Sequence, residues 1–353
     1  MSGRRLIVIG AGPAGLAAAL GAIRRGWDVS VLEQHAVGAS IRCWGKTRFF
    51  SPLSMNMPPG ARHRVIAVGR SGLTRSDYAG HPIRAERPFR LLAETPHGEQ
   101  SFEAEAVIDA SGTYGTPVAL GAGGVPALGE RALSGRLNRH LGTLHSRMGA
   151  LGGKKILLVG HGHSAANAMA LLAALHKESP DTMVVWATRS LNRRPCMEVA
   201  SDPLPERQRI VSEANQLAAQ PPSWLQVERR ARIESMFESI GENAPGALRV
   251  ALGGGRVAIV DEIVGLTGYR PDLSFLSELA IEISPATEGS AGLTKALANV
   301  TDCLSVPSLT PADFDSGEPG FHLAGAKSYG RARTFLLKNG YAQVDAVLNG
   351  MDG

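Results

Sequence analysis

Two glycine turns, set at the same point of the same local pattern, constrain this chain more than any other feature. Residues 5–9 are a short apolar run ending at Gly10. Gly10-Ala11-Gly12-Pro13-Ala14-Gly15 follows, then an Ala/Leu-rich stretch over 14–25 closed by Gly26, then a second strand-like stretch over 27–32. This order reads as strand, turn, helix, strand, the opening of a parallel βαβ unit. The pattern returns 150 residues later, with 155–159 as strand, Gly160-His161-Gly162-His163-Ser164 as turn, 165–176 as helix and 182–187 as strand. Two such units predict an α/β chain of two Rossmann-like, three-layer domains.

Each glycine of the first turn has a physical task. Gly10 allows the tight turn, Gly12 lets a pyrophosphate approach the backbone, and Gly15 permits close helix–strand contact. Amides at the helix start, Pro13 and Ala14 among the residues around them, then face the anion. Glu33 ends the next strand, about where an acid takes ribose hydroxyls, with Gln34 beside it. An acid there favours an unphosphorylated ribose, as in FAD or NAD.

The second turn differs. Gly160, Gly162 and Ser164 form G-x-G-x-S, and the following strand ends in Thr188-Arg189-Ser190. An arginine at that place pairs with a ribose 2′-phosphate, and Arg193 and Arg194 stand near enough to assist, so NADPH is expected here. The alternative is a solvated strand-end charge at Arg189. His161 and His163 have no Cys or acid at metal-ligand spacing, so backbone or NADPH contacts are preferred and no metal site is expected.

Between the turns, 65–68, 89–94, 101–106 and 107–110 read as strands, and 121–129 as a glycine-rich loop. Beyond the second unit, 205–219 is a polar helix, 226–260 a set of short strands turning at Gly253-Gly254-Gly255, and 331–348 a terminal helix with Phe335, Leu336, Tyr341, Val344 and Val347 at roughly helical spacing.

Composition excludes several classes. With 44% hydrophobic and 20% charged residues, the 353-residue chain can bury a core. Its +5 net charge is scattered in isolated pairs and its aromatics are 5%, which argues against nucleic acid as a partner. No apolar run reaches the roughly 18 residues of a membrane span. Cys43, Cys196 and Cys303 lie far apart without Cys-x-x-Cys, which argues against a zinc ribbon or local redox dithiol and points to a reducing, cytoplasmic setting.

Taken in order, these motifs resemble the two-dinucleotide flavoproteins, the group of thioredoxin reductase-like enzymes, flavin-containing monooxygenases and N-hydroxylating monooxygenases. Gly10 to Gly15 with Glu33 is similar to the FAD fingerprint, and Ala110-Ser111-Gly112-Thr113 to the Ala-Thr-Gly strand end that closes the first FAD segment. Gly160 to Ser164 resembles the NADPH turn, and Thr267-Gly268-Tyr269-Arg270-Pro271 the segment where the chain returns to the FAD domain. The resemblance implies an NADPH domain over 151–261 inserted into an FAD domain of 1–150 plus 262–353. It is compatible with a homodimer.

Three departures stand out. The missing Cys-x-x-Cys argues against the disulfide-reducing branch. Many members carry a C-terminal Gly-Asp whose Asp contacts the flavin ribityl chain; here the run is Leu323-Ala324-Gly325-Ala326-Lys327-Ser328. Gly325, Lys327, Ser328 or amides near the terminal helix would have to substitute. Few residues separate Asn56 from the strand at Arg64, which implies a site more open than in relatives or roofed by a partner subunit.

The stretch 41–57 is expected to carry chemistry. Trp44 stands near the place of the flavin-side Trp of relatives, Arg42 and Arg48 suit FAD phosphates or an acidic substrate, and Asn56 resembles an Asn of flavin-containing monooxygenases that faces the flavin. A backbone-turn role for Asn56 before Pro58-Pro59 is an equal alternative. Asn56 and Arg48 are the candidate catalytic residues. The leading expectation is an FAD- and NADPH-dependent monooxygenase that oxidises a small molecule with oxygen through a flavin hydroperoxide. The alternatives are an NADPH-dependent reductase passing electrons to a quinone, metal centre or partner protein, and a non-catalytic nucleotide-binding module.

Overall fold

The computed structural model describes residues 4–39, 62–200, 202–239, 246–300 and 303–351. They cluster into two compact units, one of residues up to 116 and from 269 onward, the other of 117–268.

The first unit opens with β1 (Arg5–Ile9), α1 (Pro13–Arg24) and β2 (Asp28–Leu32). β3 (Arg64–Arg70), β4 (Phe89–Thr95), β5 (Gly98–Ala104) and β6 (Ala106–Asp109) follow. The second unit holds β7 (Leu137–Asn138), α2 (Leu141–Ser146), α3 (Met148–Leu151), β8 (Lys155–Val159), α4 (His163–Glu178), β9 (Met183–Ala187) and α5 (Pro205–Ala219). It continues through β10 (Leu225–Glu228), β11 (Ser235–Glu238), β12 (Leu248–Gly253), β13 (Arg256–Val260) and β14 (Glu262–Gly265). The chain then returns to the first unit for α6 (Ala291–Ala296), β15 (Phe321–Leu323), α7 (Ala326–Tyr329) and α8 (Leu337–Met351).

Each unit has a parallel sheet, in the order β15-β6-β1-β2 in the first and β10-β9-β8-β14-β7 in the second. Each also has a three-stranded antiparallel sheet, β3-β4-β5 or β11-β12-β13. Alternation along β1 explains the layering. Leu6 and Val8 pack with Ala18, Ala22, Val344 and Leu348 on the helical side, while Ile7 and Ile9 pack with Leu91 and Phe321 on the antiparallel side. A strand buried on both faces must read as a continuous apolar run. β8 repeats this, with Ile156 and Leu158 toward the helices and Leu157 and Val159 toward Val250 and Val260. Each such side chain contributes roughly 2 kcal/mol of burial free energy.

The unit limits differ from the boundaries expected at 150/151 and 261/262, because residues 117–150 and 262–268 go with the second unit. Leu120 and Leu133 enter its core, and β7 adds a fifth strand beside β14. The glycine-rich loop at 121–129 is tied down by buried Glu130, whose carboxylate accepts from the amides of Leu120, Gly121 and Ala127. The terminal helix starts six residues later than expected, and Tyr341 on it is exposed while Val344 and Val347 are buried.

A buried charge cluster fixes the β3–β4 connection. Glu318 lies between Arg70 and Arg84, at 2.9 and 2.7 Å, with all three side chains almost completely buried. Arg84 also donates to the carbonyls of Thr74 and Asp77, and Arg70 to those of Arg87 and Pro319.

Candidate functional site

In the first unit the strand ends of β1, β6 and β15 meet at the glycine turn. Gly10 has φ +93°, and a Cβ there would lie 2.7 Å from Ser111 Cα. Gly15 packs still closer, since its Cβ would fall 1.9 Å from the Gly10 carbonyl oxygen. No side chain fits at either position. Gly12 caps α1 in extended conformation, Pro13 opens the helix, and Ala14 and Gly15 lie in its first turn. Amides of a first turn have no intrahelical acceptor and carry the positive end of the helix dipole. That turn holds no acidic residue to compete for them.

Gly10 N–H donates to Leu32 O at 2.7 Å, which sets the end of β2 against the turn. Glu33, the next residue, accepts from Ala11 N–H at 2.6 Å and from His35 N–H at 2.8 Å. The acid therefore stands one hydrogen bond from the turn, while Gln34 beside it is exposed.

The opposite wall is the end of β6. Ser111 N–H donates to Asp109 Oδ1 at 3.0 Å, and Ser111 as a residue is exposed. Gly112 has open space around it. Behind this wall lies Lys327, fully buried. Its Nζ is 3.0 Å from Asp109 Oδ2, donates to Ser111 Oγ at 3.0 Å and to Asp272 O at 2.5 Å, and sits 4.6 Å from the Phe275 ring centroid. Burial raises the Asp272 carboxyl pKa, but hydrogen bonds from Ser274 and the nearby Lys327 charge outweigh it and hold the group below its ordinary value.

The turn after β15 is held from α8. Gln343, buried, accepts from Gly325 N–H at 3.0 Å, exchanges hydrogen bonds with Ser328 Oγ, and donates to Leu323 O at 3.0 Å. Gly325, Lys327 and Ser328 are all buried, and Ala326 alone of these four keeps some surface. The sequence reading named Gly325, Lys327 and Ser328 here and passed over Asp109, Ala326 and Gln343. A charged residue ending the apolar run Val107-Ile108 was the available signal for Asp109; Gln343 gave none.

The second unit repeats the geometry with different chemistry. Gly160 has φ +125°, and a Cβ there would lie 2.4 Å from Leu266 O. Gly162 caps α4 in the extended conformation with open space beside it, and His163 and Ser164 start the helix. Where the first unit needs Gly15, this one carries Ala165, fully buried.

Register makes the comparison residue by residue. Ile9 pairs with Leu32 and Val159 with Ala187. Gly160 N–H donates to Ala187 O as Gly10 N–H does to Leu32 O. The counterpart of Glu33 is therefore Thr188, and that of Gln34 is Arg189. Thr188 is buried, with its hydroxyl on Ser190 O at 3.2 Å. Arg189 and Arg193 are exposed and make no ion pair among the described residues. Arg194 is engaged by Glu198 at 2.6 Å. Hydrogen bonds from Arg194, then Asn215, hold that carboxyl below its ordinary range. A cavity of about 120 Å³ beside the α4 start is lined by His163, Arg194, Asp202 and Arg207 among others.

Arg42, Trp44, Arg48 and Asn56 lie outside the described residues. Cys196 is buried, with its backbone bracketed by the Asn215 amide, and burial together with the Glu198 charge pushes its thiol up to about 11. A thiol so placed supplies no thiolate near neutral pH. Among the described residues no cluster of His, Cys, Asp and Glu could hold a metal ion, and no helix is long and apolar enough to cross a membrane.

A family described as pyridine nucleotide-disulphide oxidoreductase matches residues 7–67. Among curated proteins none matches. Solved structures of similar fold include the bacillithiol disulfide reductase of Bacillus cereus, 17% identical, covering 99% of this chain and 98% of that one with TM-score 0.66. The bacillithiol disulfide reductase of Staphylococcus aureus is 18% identical, with 99% and 98% coverage and TM-score 0.64. The thioredoxin reductase of T. acidophilum is 15% identical, with 99% and 100% coverage and TM-score 0.60. This chain has the fold of the two-domain FAD/NAD(P)-binding oxidoreductases.

Proposed function

We propose that this chain, built on the two-domain FAD/NAD(P)-binding oxidoreductase fold, is an NADPH-dependent flavoprotein reductase, with FAD in the first unit and NADPH in the second. The observation that carries the reading is the register equivalence of the two turns. An acid follows β2 and a buried threonine with an exposed arginine follows β9, so one scaffold selects ribose hydroxyls and the other a 2′-phosphate. The residues present fit both groups: each turn has no room for side chains where its glycines pack, and each helix start offers free amides.

Bound FAD would supply a ring that accepts hydride from NADPH and passes electrons on. For FAD, the amides around Gly12, Ala14 and Gly15 bind phosphate, Glu33 orients ribose, and Ser111 and Gly112 form the far wall. For NADPH, Gly160, Gly162, His163 and Ser164 cradle phosphate, and Arg189 and Arg193 take the 2′-phosphate. Reduction of an acceptor is favoured by the disulfide reductases among its structural neighbours. With no Cys-x-x-Cys in the chain and Cys196 inert, the acceptor is external and diffusible. Oxygen-dependent oxidation of a small substrate is the second reading, favoured by Asn56 and the absent dithiol.

One spectral experiment tests both. Purified protein is mixed with NADPH, and separately NADH, without oxygen, and acceptors are then added. Bleaching of the yellow absorbance by NADPH, with fast recovery on a quinone or a small disulfide, is expected. Recovery on oxygen through a long-lived intermediate, with poor turnover of every acceptor, would shift the reading to the monooxygenase. A protein that binds no flavin would sink both.

A further inference from the structure

We propose that Ser111 donates a hydrogen bond to the dinucleotide of the first unit, and that the buried ammonium of Lys327 holds it in that role. The inference rests on the FAD reading above and deepens it. It assigns a hydroxyl donor on the Ala110-Ser111-Gly112 strand end and gives Lys327, which stands in the run that lacks the acid the resemblance implies, a positioning role rather than a ligand contact.

The argument is one of proton counting. A lysine ammonium has three N–H donors and no acceptor. The Nζ of Lys327 bonds Ser111 Oγ at 3.0 Å, so Oγ must accept there. The hydroxyl proton of Ser111 is then free to point elsewhere, and among the described residues no acceptor takes it. Ser111 is exposed, borders the Gly10 turn, and is followed by Gly112 with open space around it. The proton is therefore offered into the crevice at the carboxyl ends of β1, β6 and β15, where open α/β sheets bind ligands.

Lys327 itself cannot make the contact. It is fully buried, and Asp109, Ser111 and Asp272 O surround its head. It acts as a positioning residue. Asp109 balances its charge and also takes the Ser111 amide through Oδ1 at 3.0 Å, so one carboxylate fixes both ends of the relay. A hydroxyl that accepts from a cation is polarised and donates more strongly. The ligand atom it suits is a phosphate or carbonyl oxygen.

The test is titration of the flavin-free protein with FAD, read by quenching of FAD fluorescence, alongside melting temperatures without ligand. S111A should weaken FAD binding about 10- to 100-fold, the loss of one charge-assisted hydrogen bond, while its ligand-free melting temperature falls by only a few degrees, from the partner lost to Lys327 Nζ, so that the protein stays folded at the temperature of the titration. S111T keeps the hydroxyl and should bind within a few-fold of wild type. Because K327M strands Asp109, the lysine is tested as D109N/K327M. Adding S111A to that pair should cause little further loss, since the donor is no longer enforced. If wild type binds FAD and S111A binds equally well, the inference is overturned and the FAD reading stands. If wild type binds no FAD, the FAD reading falls and this inference with it.

Discussion

Replacing Glu318 by glutamine would test the charge balance of the first unit. Glu318 Oε1 accepts from Arg70 Nε at 2.9 Å and Arg84 Nε at 3.1 Å. Oε2 accepts from Arg84 Nη2 at 2.7 Å and Ala280 N–H at 2.9 Å. Every neighbour is a donor, so an amide NH2 meets donors whichever way it is turned. The change also leaves two guanidinium groups, each about 1% exposed, without a counter-ion. Breaking one buried pair costs about 3–5 kcal/mol, and here two arginines share one carboxylate, so the upper end applies. At about 2–4 °C per kcal/mol for a unit of this size, E318Q should lower the melting temperature by about 10–20 °C. Burial raises the Glu318 carboxyl pKa, but hydrogen bonds from Arg84, Arg70 and Ala280 outweigh it and hold it below the ordinary value. A depressed carboxyl stabilises above its unfolded pKa of about 4.3, and that stability is lost as pH falls through the folded value. Wild type should therefore lose more stability on acidification than E318Q, which keeps only the part contributed by other depressed carboxyls such as Asp272. Thermal melts from neutral pH to pH 3, followed by circular dichroism, would read both effects. A drop under about 2 °C at neutral pH would refute the reasoning.

Other expectations follow from the two turns and from Cys196. Arg189→Ala should raise KM for NADPH about 10-fold or more while leaving NADH nearly unchanged, from one lost charge-assisted contact; steady-state kinetics with both donors would show it, and an equal loss for both would place Arg189 elsewhere. Gly15→Ala should prevent FAD retention, because the new methyl would overlap the Gly10 carbonyl, whereas Ala165→Gly in the second unit should be mild; flavin content on purification decides this. Cys196 should react with a thiol reagent in the native protein at least about 100-fold more slowly than after denaturation, given its burial and a pKa pushed up to about 11.

What was legible in the sequence was what local sterics dictate. The β1–α1–β2 and β8–α4–β9 units could be read because Gly10, Gly15 and Gly160 are forced by contacts within a few residues or across one strand pair. The unit boundaries could not, because β7 is two residues long and too short for any periodicity, and Leu120 and Leu133 reveal their allegiance only by packing. The Asp109–Lys327 pair joins residues more than 200 apart in sequence, and Gln343 reaches back to the β15 turn from another helix. Neither is coded by spacing. Lys327 stands where the resemblance expects a flavin-contacting Asp and so reads as a substitute ligand contact, yet burial places it behind Ser111.

The buried Thr188 has a consequence for how the two proposed dinucleotides would be kept. Its hydroxyl is spent on Ser190 O, so the second unit offers no acid at that register, and on the function proposed above recognition of NADPH would fall to the exposed Arg189 and Arg193. Surface charges are screened over about 8 Å at physiological ionic strength, whereas the Asp109–Lys327 pair is out of reach of salt. On that proposal ionic strength should leave FAD in place and govern how long NADPH stays. The first would behave as a resident part of the protein and the second as a visitor whose stay the surrounding electrolyte sets.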